Sequence, residues 1–337
     1  MFNDYIYDSI LYCRPIKKAV AFILKQPLVV RNPLYSFFYQ RMMQKKMALF
    51  RDKPHRVMVE NTNICNADCV FCPHKKMKRK TGVMPMGLFK KIVDECANTE
   101  IGYVTIYGFG EPLLDNKFVE KVKYAKEKGL SRVTTNTNAA FLTKDKAKVI
   151  IEAGLDEIYL SFDAATKETY RKIRPNLNFE NVTKNILSLI EEKKSSQLKK
   201  PLIYLSFVES EINRYEAGVY ERKWRDLVDG ISFSIAHNWT GEVNFGCAEE
   251  SFFRDPCRLL WTDMVVSWDG KVPLCCNDYE NKIILGNAKE QSIAEIWGGE
   301  KLKKIREKHQ KGEFKDIAIC SSCQYNYHHK SPWWIGK

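Results

Sequence analysis

"RVMVENTNICNADCVFCP", residues 56–73, joins a short β-branched run to three cysteines, Cys65, Cys69 and Cys72, spaced x3 and x2, with Phe71 before the last. The run around Val57–Val59 reads as a strand. The cysteines then fall in the loop after it, where parallel α/β folds gather their sites. The number of thiols matters. Four thiolates close a structural zinc site, whereas three leave a position open. If the metal is iron in a 4Fe-4S cluster, the protein holds three irons and the fourth can take a small molecule. The competing reading is zinc with His74 as fourth ligand, but with Pro73 between His74 and Cys72 the ring is poorly placed to fold back.

Working outward, β-rich runs alternate with helical ones: "VMVEN", "YVTIYG", "SRVTTNT", "DEIYLSF", "PLIYLSF" and "ISFSIA" are six strands with five intervening helices. Such an array predicts a parallel sheet with right-handed crossovers, curled into a barrel or doubly wound. Gly129 and Gly154 fall just past helix ends, where a left-handed cap is expected. After about Trp239 the alternation stops. The remaining hundred or so residues read as a hairpin in "DMVVSWDGKVPLCC" turning at Asp269-Gly270, a helix around "SIAEIWGGEKLKKIREKH" and a cysteine-rich tail. The expected division is a basic aromatic helical arm over 1–53, a barrel over 54–240 and a small metal-dependent unit over 241–337.

With these residues in place, the chain resembles the radical S-adenosylmethionine (radical SAM) enzymes, defined by Cys-x3-Cys-x2-Cys with an aromatic before the third cysteine. The resemblance runs from about Arg56 to Ile235. It implies an α/β fold, a partial (β/α)6 TIM-like barrel with a small C-terminal β-hairpin plus helix iron-sulfur (twitch) domain. It also implies chemistry: S-adenosylmethionine chelates the open iron, an electron cleaves it, and a 5′-deoxyadenosyl radical abstracts hydrogen from substrate. "YGFGEPL" is similar to the family's Gly-Gly-Glu-Pro motif, with Gly108, Gly110, Glu111 and Pro112 expected beside the methionyl ammonium. "TTNTNAAFL" resembles the Thr-Asn-Gly segment with Asn136 in place and Thr137 where glycine is usual. Ser161 and Asp163 match ribose and carboxylate contacts, Arg174 is a candidate for the methionyl carboxylate, Val208 is expected near the adenine, and Phe71 completes the set. Singly these are weak, since Gly-x-Gly before Glu-Pro is also a turn and Ser-x-Asp also caps helices. Their order behind the triplet makes the case.

A second cysteine set, Cys257, Cys275, Cys320 and Cys323, suits zinc or an iron-sulfur cluster equally on residue type alone. The resemblance selects iron: the pattern looks like twitch, the shortened SPASM domain, whose next cysteine would stand at 329, here His329. One auxiliary 4Fe-4S cluster, fully ligated, is therefore implied beside the open one. Cys276, on the opposite face from Cys275, is not expected to bind. Cys13, Cys96 and Cys247 are expected to be ordinary buried thiols. A saturated cluster suits an electron sink for oxidation. The twitch enzymes resembled include sugar and aminocyclitol alcohol dehydrogenases, which implies a small-molecule substrate of that kind. Its expected contacts are His237, Asn238 and Trp239, whose alternative role is to cement the two domains. The rivals are a peptide maturase forming thioethers, crosslinks or epimers, and a radical methylase or lipid-modifying enzyme. A cluster-bearing electron carrier leaves the open triplet unexplained.

Composition bounds the partners. Lys plus Arg number 54 against 41 Asp plus Glu, a net charge of +13, in a chain of 337 residues whose 45% hydrophobic content excludes disorder. No nucleic acid is expected. "KKMKRK", 75–80, is either a solvated loop or a dock for the flavodoxin or ferredoxin that supplies the electron. The arm, with Lys17, Lys18, Lys25, Arg31, Arg41, Lys45, Lys46 and Arg51 among aromatics, is a packing element or a peripheral contact with an anionic membrane. With no signal peptide and no apolar run near 18 residues, the expected location is cytoplasmic.

Overall fold

A computed structural model describes residues 32–243 and 256–324. Cys13, Cys247, His329 and the first 31 residues of the arm lie outside the described residues. Helix α1 (Pro33–Leu49) precedes the sheet. Then come β1 (Arg56–Val59), α2 (Met86–Asn98), β2 (Tyr103–Ile106), α3 (Phe118–Glu127), β3 (Arg132–Thr137) and α4 (Lys144–Glu152). β4 (Glu157–Ser161), two helices α5 (Lys167–Ile173) and α6 (Phe179–Ser196), β5 (Leu202–Glu209), α7 (Ala217–Trp224) and β6 (Gly230–Ile235) complete the alternation. All six expected strands are present, each parallel to the next.

The sheet forms because each strand alternates. Val57, Val59, Val104, Ile106, Val133, Ile158, Leu160, Ile203 and Leu205 bury against the helices. Those helices are amphipathic: α2 buries Leu88, Phe89, Ile92, Val93 and Cys96 at helical spacing. Cys96 is thus the buried thiol expected of it. Helix starts are set locally, Thr143 Oγ1 accepting from Lys146 N–H and Asn178 Oδ1 from Asn181 N–H. Gly129 and Gly154 both take φ +81, as the cap reading requires.

The other face of the sheet is polar, and its two ends differ. At the strand starts, Arg56, Tyr103, Arg132, Glu157 and Asp263 are each the first residue of their strand. Arg56 pairs with Asp263, Arg132 Nη2 donates to Glu157 at 2.9 Å, and the Arg132 guanidinium lies 4.4 Å over the Tyr103 ring. This ion-paired floor closes one end. Toward the other end, Asn136, Tyr159, Ser161, Tyr204, Ser206 and Ser232 are half-buried on the same face.

The small antiparallel hairpin of the C-terminal unit is present, but its strands are not the two read from "DMVVSWDGKVPLCC". α8 (Leu259–Thr262) leads into β7 (Asp263–Val266), which pairs parallel with β1 as a seventh strand, Val57 opposite Met264 and Val59 opposite Val266. Only β8 (Lys271–Pro273) pairs antiparallel with β9 (Ile284–Asn287). The turn falls where expected, with Gly270 at φ +92 and its N–H donating to Ser267 O at 2.9 Å. The physical reason is that β2 leaves the far edge of β1 open, and Met264 and Val266 are buried where β7 occupies it. The main sheet thus crosses the 240/241 division. Helices α9 (Ile293–Trp297), α10 (Glu300–Lys311) and α11 (Ala318–Ser321) come last. Among the described residues no helix is long and apolar enough to cross a membrane.

Candidate functional site

The triplet loop leaves β1 at the end opposite the ion-paired floor. Backbone bonds shape it, with Cys72 N–H donating to Cys69 O at 3.0 Å and Ala67 N–H to Cys65 Sγ at 3.4 Å. The loop is pinned from three sides: Val70 N–H donates to Ile173 O at 3.0 Å, Asp68 N–H to Asn176 at 2.8 Å, and the Asn138 amide to Asn66 at 2.9 Å. Burial pushes the Cys65 thiol up to about 11 and Cys72 to about 12, and raises Cys69 as well. Such thiols do not ionise unaided at neutral pH; three together in a desolvated loop fit a cationic iron centre that draws off their protons. His74 Nε2 lies 2.8 Å from Asn63 O, which ties its ring to the residue two before Cys65. No three His, Cys, Asp or Glu side chains among the described residues draw together around a single ion.

The glycine motif packs directly on this loop. A Cβ at Gly110 would stand 2.4 Å from Thr62 O and 2.6 Å from Ile64 O, so only glycine lets the two backbones touch. Glu111 N–H donates to Ile64 O at 2.8 Å. The Glu111 carboxylate is buried and accepts from Thr137 Oγ1 at 2.6 Å, Asn138 N–H at 2.8 Å and Leu113 N–H at 3.1 Å. It braces the loops after β2 and β3. Asn61 donates to Pro112 O and to Asp115, which also pairs with the buried Lys121 Nζ at 2.6 Å. The Glu-Pro turn is thus held from below.

Three of the expected contacts have partners of their own within the chain. Asp163 is fully buried; its Oδ2 accepts from Arg174 Nε at 2.8 Å and Nη2 at 2.6 Å, and its Oδ1 from Val208 N–H at 2.8 Å. It has no free edge for a ribose. Arg174 is 5% exposed and turns Nη1 to Cys69 Sγ at 3.1 Å, so it braces the triplet loop. The Thr-Asn-Gly segment sits two residues later than expected. Thr137 and Asn138 meet Glu111, and Ala139 takes φ +60, the left-handed conformation that favours glycine. Asn136 instead lies half-buried on the inner face. Ser161 ends β4 on that face, and Val208 packs with Phe71, Ile173 and Ala236 in a small apolar cluster beside Cys69.

Cys257, Cys275, Cys320 and Cys323 line one cavity with Leu259, Leu274 and Ile319, a space of about 370 Å³ including its mouth. Burial raises the Cys257 and Cys275 thiols, and the other three cysteines add to the shift of Cys275. Four thiols converging among aliphatic side chains fit a fully ligated cluster. Cys275 lines this cavity and Cys276 does not; the two stand in a bend and turn beyond β8 and not on a strand, so the alternation of strand faces does not apply to them.

A short turn, 237–241, ties the two cysteine loops together. Trp239 Nε1 donates to Phe71 O at 2.7 Å, next to Cys72. Asn238 donates to Ser322 O at 2.8 Å and accepts from Gln324 N–H at 3.3 Å, between and beyond Cys320 and Cys323. The polar atoms of Asn238 and Trp239 therefore serve the junction, the alternative role, and not a substrate. The Trp239 ring lies 5.4 Å from Phe109 and 4.4 Å from His237. His237 Nδ1 accepts from Trp239 N–H at 3.2 Å, which leaves the neutral ring a donor at Nε2. Replacing Trp239 by Phe should keep the packing and remove the Phe71 bond. Denaturant unfolding should show about 1 kcal/mol lost; an unchanged midpoint would mean that the bond contributes nothing.

The cationic run is in part internal. Arg79 forms a bidentate pair with Glu60, which is 2% exposed, and its Nε donates to Tyr279 O at 2.6 Å. Glu280 accepts from Lys78 N–H at 2.7 Å, and the Trp268 ring lies on Gly82, where a Cβ would stand 2.5 Å from it. Lys75, Lys76, Lys78 and Lys80 remain exposed. Sequence reasoning missed Glu60, Arg79, Asn138 and Trp268. Only Arg79 carried a signal, and it pointed to solvent.

A barrel-like sheet with an open cysteine triplet at one end and a closed thiolate site beside it defines a class of iron-sulfur enzyme. Residues 59–205 match the radical SAM superfamily and residues 257–324 the SPASM iron-sulfur cluster-binding domain. The chain belongs to the radical SAM superfamily and carries a C-terminal SPASM domain, with 4Fe-4S clusters and S-adenosylmethionine as its cofactors. It is 24% identical over 272 residues to an S-adenosyl-L-methionine-dependent 2-deoxy-scyllo-inosamine dehydrogenase of Niallia circulans, covering 79% of this chain and 91% of that protein. The fold is similar to BtrN in complex with AdoMet and 2-DOIA, with TM-score 0.56, 20% identity, and 82% and 98% of the two chains covered. It is also similar to Streptococcus suis SuiB bound to precursor peptide SuiA, with TM-score 0.62, 14% identity, and 91% and 78% covered.

Proposed function

We propose that the protein oxidises an alcohol carbon of a hydroxylated ring, a sugar or aminocyclitol. The observation that carries this reading is the closed four-thiolate cavity, hydrogen-bonded through the 237–241 turn to the loop of the open triplet. Oxidation of an alcohol removes two electrons and two protons; S-adenosylmethionine and the closed cluster, when bound, would supply the acceptors for one hydrogen atom and one electron, and the hydroxyl proton leaves to solvent. The chain's own residues supply position. Cys65, Cys69 and Cys72 hold the open site, and Cys257, Cys275, Cys320 and Cys323 the closed one. Gly108, Gly110 and Pro112 set the backbone edge for the methionyl ammonium, Ser161 is the remaining candidate for the ribose, and Val208 with Phe71 forms the apolar bed for the adenine. Asn136, Ser206 and Ser232 offer hydroxyl and amide groups on the inner face of the sheet, toward the triplet end, and His237 stays the candidate for a polar substrate contact beside Trp239. Exposed Lys75, Lys76, Lys78 and Lys80 are the docking face for an acidic flavodoxin or ferredoxin. Similarity to the dehydrogenase over most of both chains supports this reading, whereas the SuiB likeness, at 14% identity, speaks to fold alone.

The test is transfer of deuterium. With carbon-deuterated cyclitols and sugars, label should enter 5′-deoxyadenosine with one ketone formed per cleavage. Label arriving only from peptide substrates would reject the alcohol reading. Cys320→Ala should still yield 5′-deoxyadenosine while ketone falls about a hundredfold or more; ketone at the wild-type ratio would remove the closed site from the reaction.

A further inference from the structure

Helix α1 turns large apolar side chains outward, together with cations, instead of sorting polar from apolar residues by side. At 3.6 residues per turn, Leu34, Phe37, Phe38, Arg41, Lys45 and Leu49 fall within an arc of about 120°. All six are exposed, Leu34 at 69%, Phe37 at 57%, Phe38 at 66% and Leu49 at 72%. The opposite side attaches the helix to the body of the protein: Tyr35 packs against the core, Met47 is buried and meets Gln310 of α10, and the Trp297 indole donates to Phe50 O at 3.0 Å just past the helix end. The helix is therefore docked by one side and presents large apolar side chains and two cations on the other. It contains no acidic residue.

We infer that this face is a docking surface for an anionic lipid bilayer, independent of which substrate the barrel takes. The outward face joins exposed Leu34, Phe37, Phe38 and Leu49, which gain by leaving water, to Arg41 and Lys45, which gain by meeting anionic headgroups. Charge separates this occupant from the alternatives. A second copy seated on the face through a two-fold axis would bring Arg41 and Lys45 against their own mates. The preceding residues 1–31 carry Arg14, Lys17, Lys18, Lys25 and Arg31 against two aspartates, so they share the sign of the face instead of complementing it. An anionic headgroup layer attracts both, and each basic residue near such a surface strengthens binding about fivefold.

The experiment is flotation of the full-length, anaerobically reconstituted protein with vesicles of phosphatidylcholine alone or with phosphatidylglycerol added. The protein should float with the anionic vesicles only, and release should come with added salt. Phe37→Glu with Phe38→Glu should lower partitioning about a hundredfold, and Arg41→Glu with Lys45→Glu about tenfold or more. Both variants alter only exposed side chains, and both should cleave S-adenosylmethionine as the wild type does. Equal flotation with neutral and anionic vesicles would overturn the proposal. So would wild-type protein that ignores both vesicles. If it then elutes as a dimer that Phe37→Glu with Phe38→Glu dissociates, the face belongs to a second copy; if it elutes as a monomer, the chain covers its own helix.

Discussion

Cys65→Ala should abolish formation of 5′-deoxyadenosine from S-adenosylmethionine under dithionite, a loss of about ten-thousandfold or more, while roughly half of the iron remains. Arg174, the cation beside the triplet, has no lone pair with which to replace a thiolate. Loss of one thiol leaves two half-buried cysteines in a loop that burial keeps protonated, which is too few to hold a cluster. The closed site shares no residue with the triplet, so its iron should stay. Anaerobic iron analysis and chromatography of the nucleoside products check both halves. A variant that keeps full iron, or that still cleaves the cofactor, would mean the triplet is not the site of chemistry.

The second large effect is on stability. Asp163→Ala removes the carboxylate that receives two N–H groups of Arg174 while leaving the guanidinium at 5% exposure. Burial works against the charge of Arg174, and the Asp163 carboxylate works to keep it. Without Asp163, a buried cation keeps only a sulfur partner, and Val208 N–H also loses its acceptor. Removing one member of a buried pair typically costs about 3–5 kcal/mol. Denaturant unfolding should show a loss of that size, and the triplet should take up less iron because Arg174 no longer holds Cys69. A loss under about 1 kcal/mol would show that the pair is not needed to fold the cluster loop.

How far the sequence speaks depends on whether a residue's role is local. The triplet, the six strands and the four distant cysteines are legible because spacing and alternation are local, and the structure places each set together. β7 is not legible as a seventh strand, since Asp263–Val266 pairs with β1 some two hundred residues away and no local pattern encodes that register. Asp163 and Arg174 stand out as polar residues in the right loops, but residue type does not say whether a carboxylate faces a cofactor or a neighbouring guanidinium. The register of the Thr-Asn-Gly segment is hidden for a specific reason: its glycine is replaced by Ala139, which accepts φ +60 under the constraint of Glu111 and removes the marker that fixes the position. For Trp239 and Asn238 the sequence admits both a junction and a substrate role, and only their partners, Phe71 O and Ser322 O, decide between them.

The proposed chemistry depends on an iron at the triplet with a coordination place that the protein leaves open. Electron paramagnetic resonance of the reduced protein, with and without S-adenosylmethionine, tests this most directly. Two cluster signals are predicted, of which the cofactor shifts one; that one disappears in Cys65→Ala, while the other is indifferent to the cofactor and disappears in Cys320→Ala. Zinc at the triplet, or a triplet signal that the cofactor leaves unmoved, would contradict it.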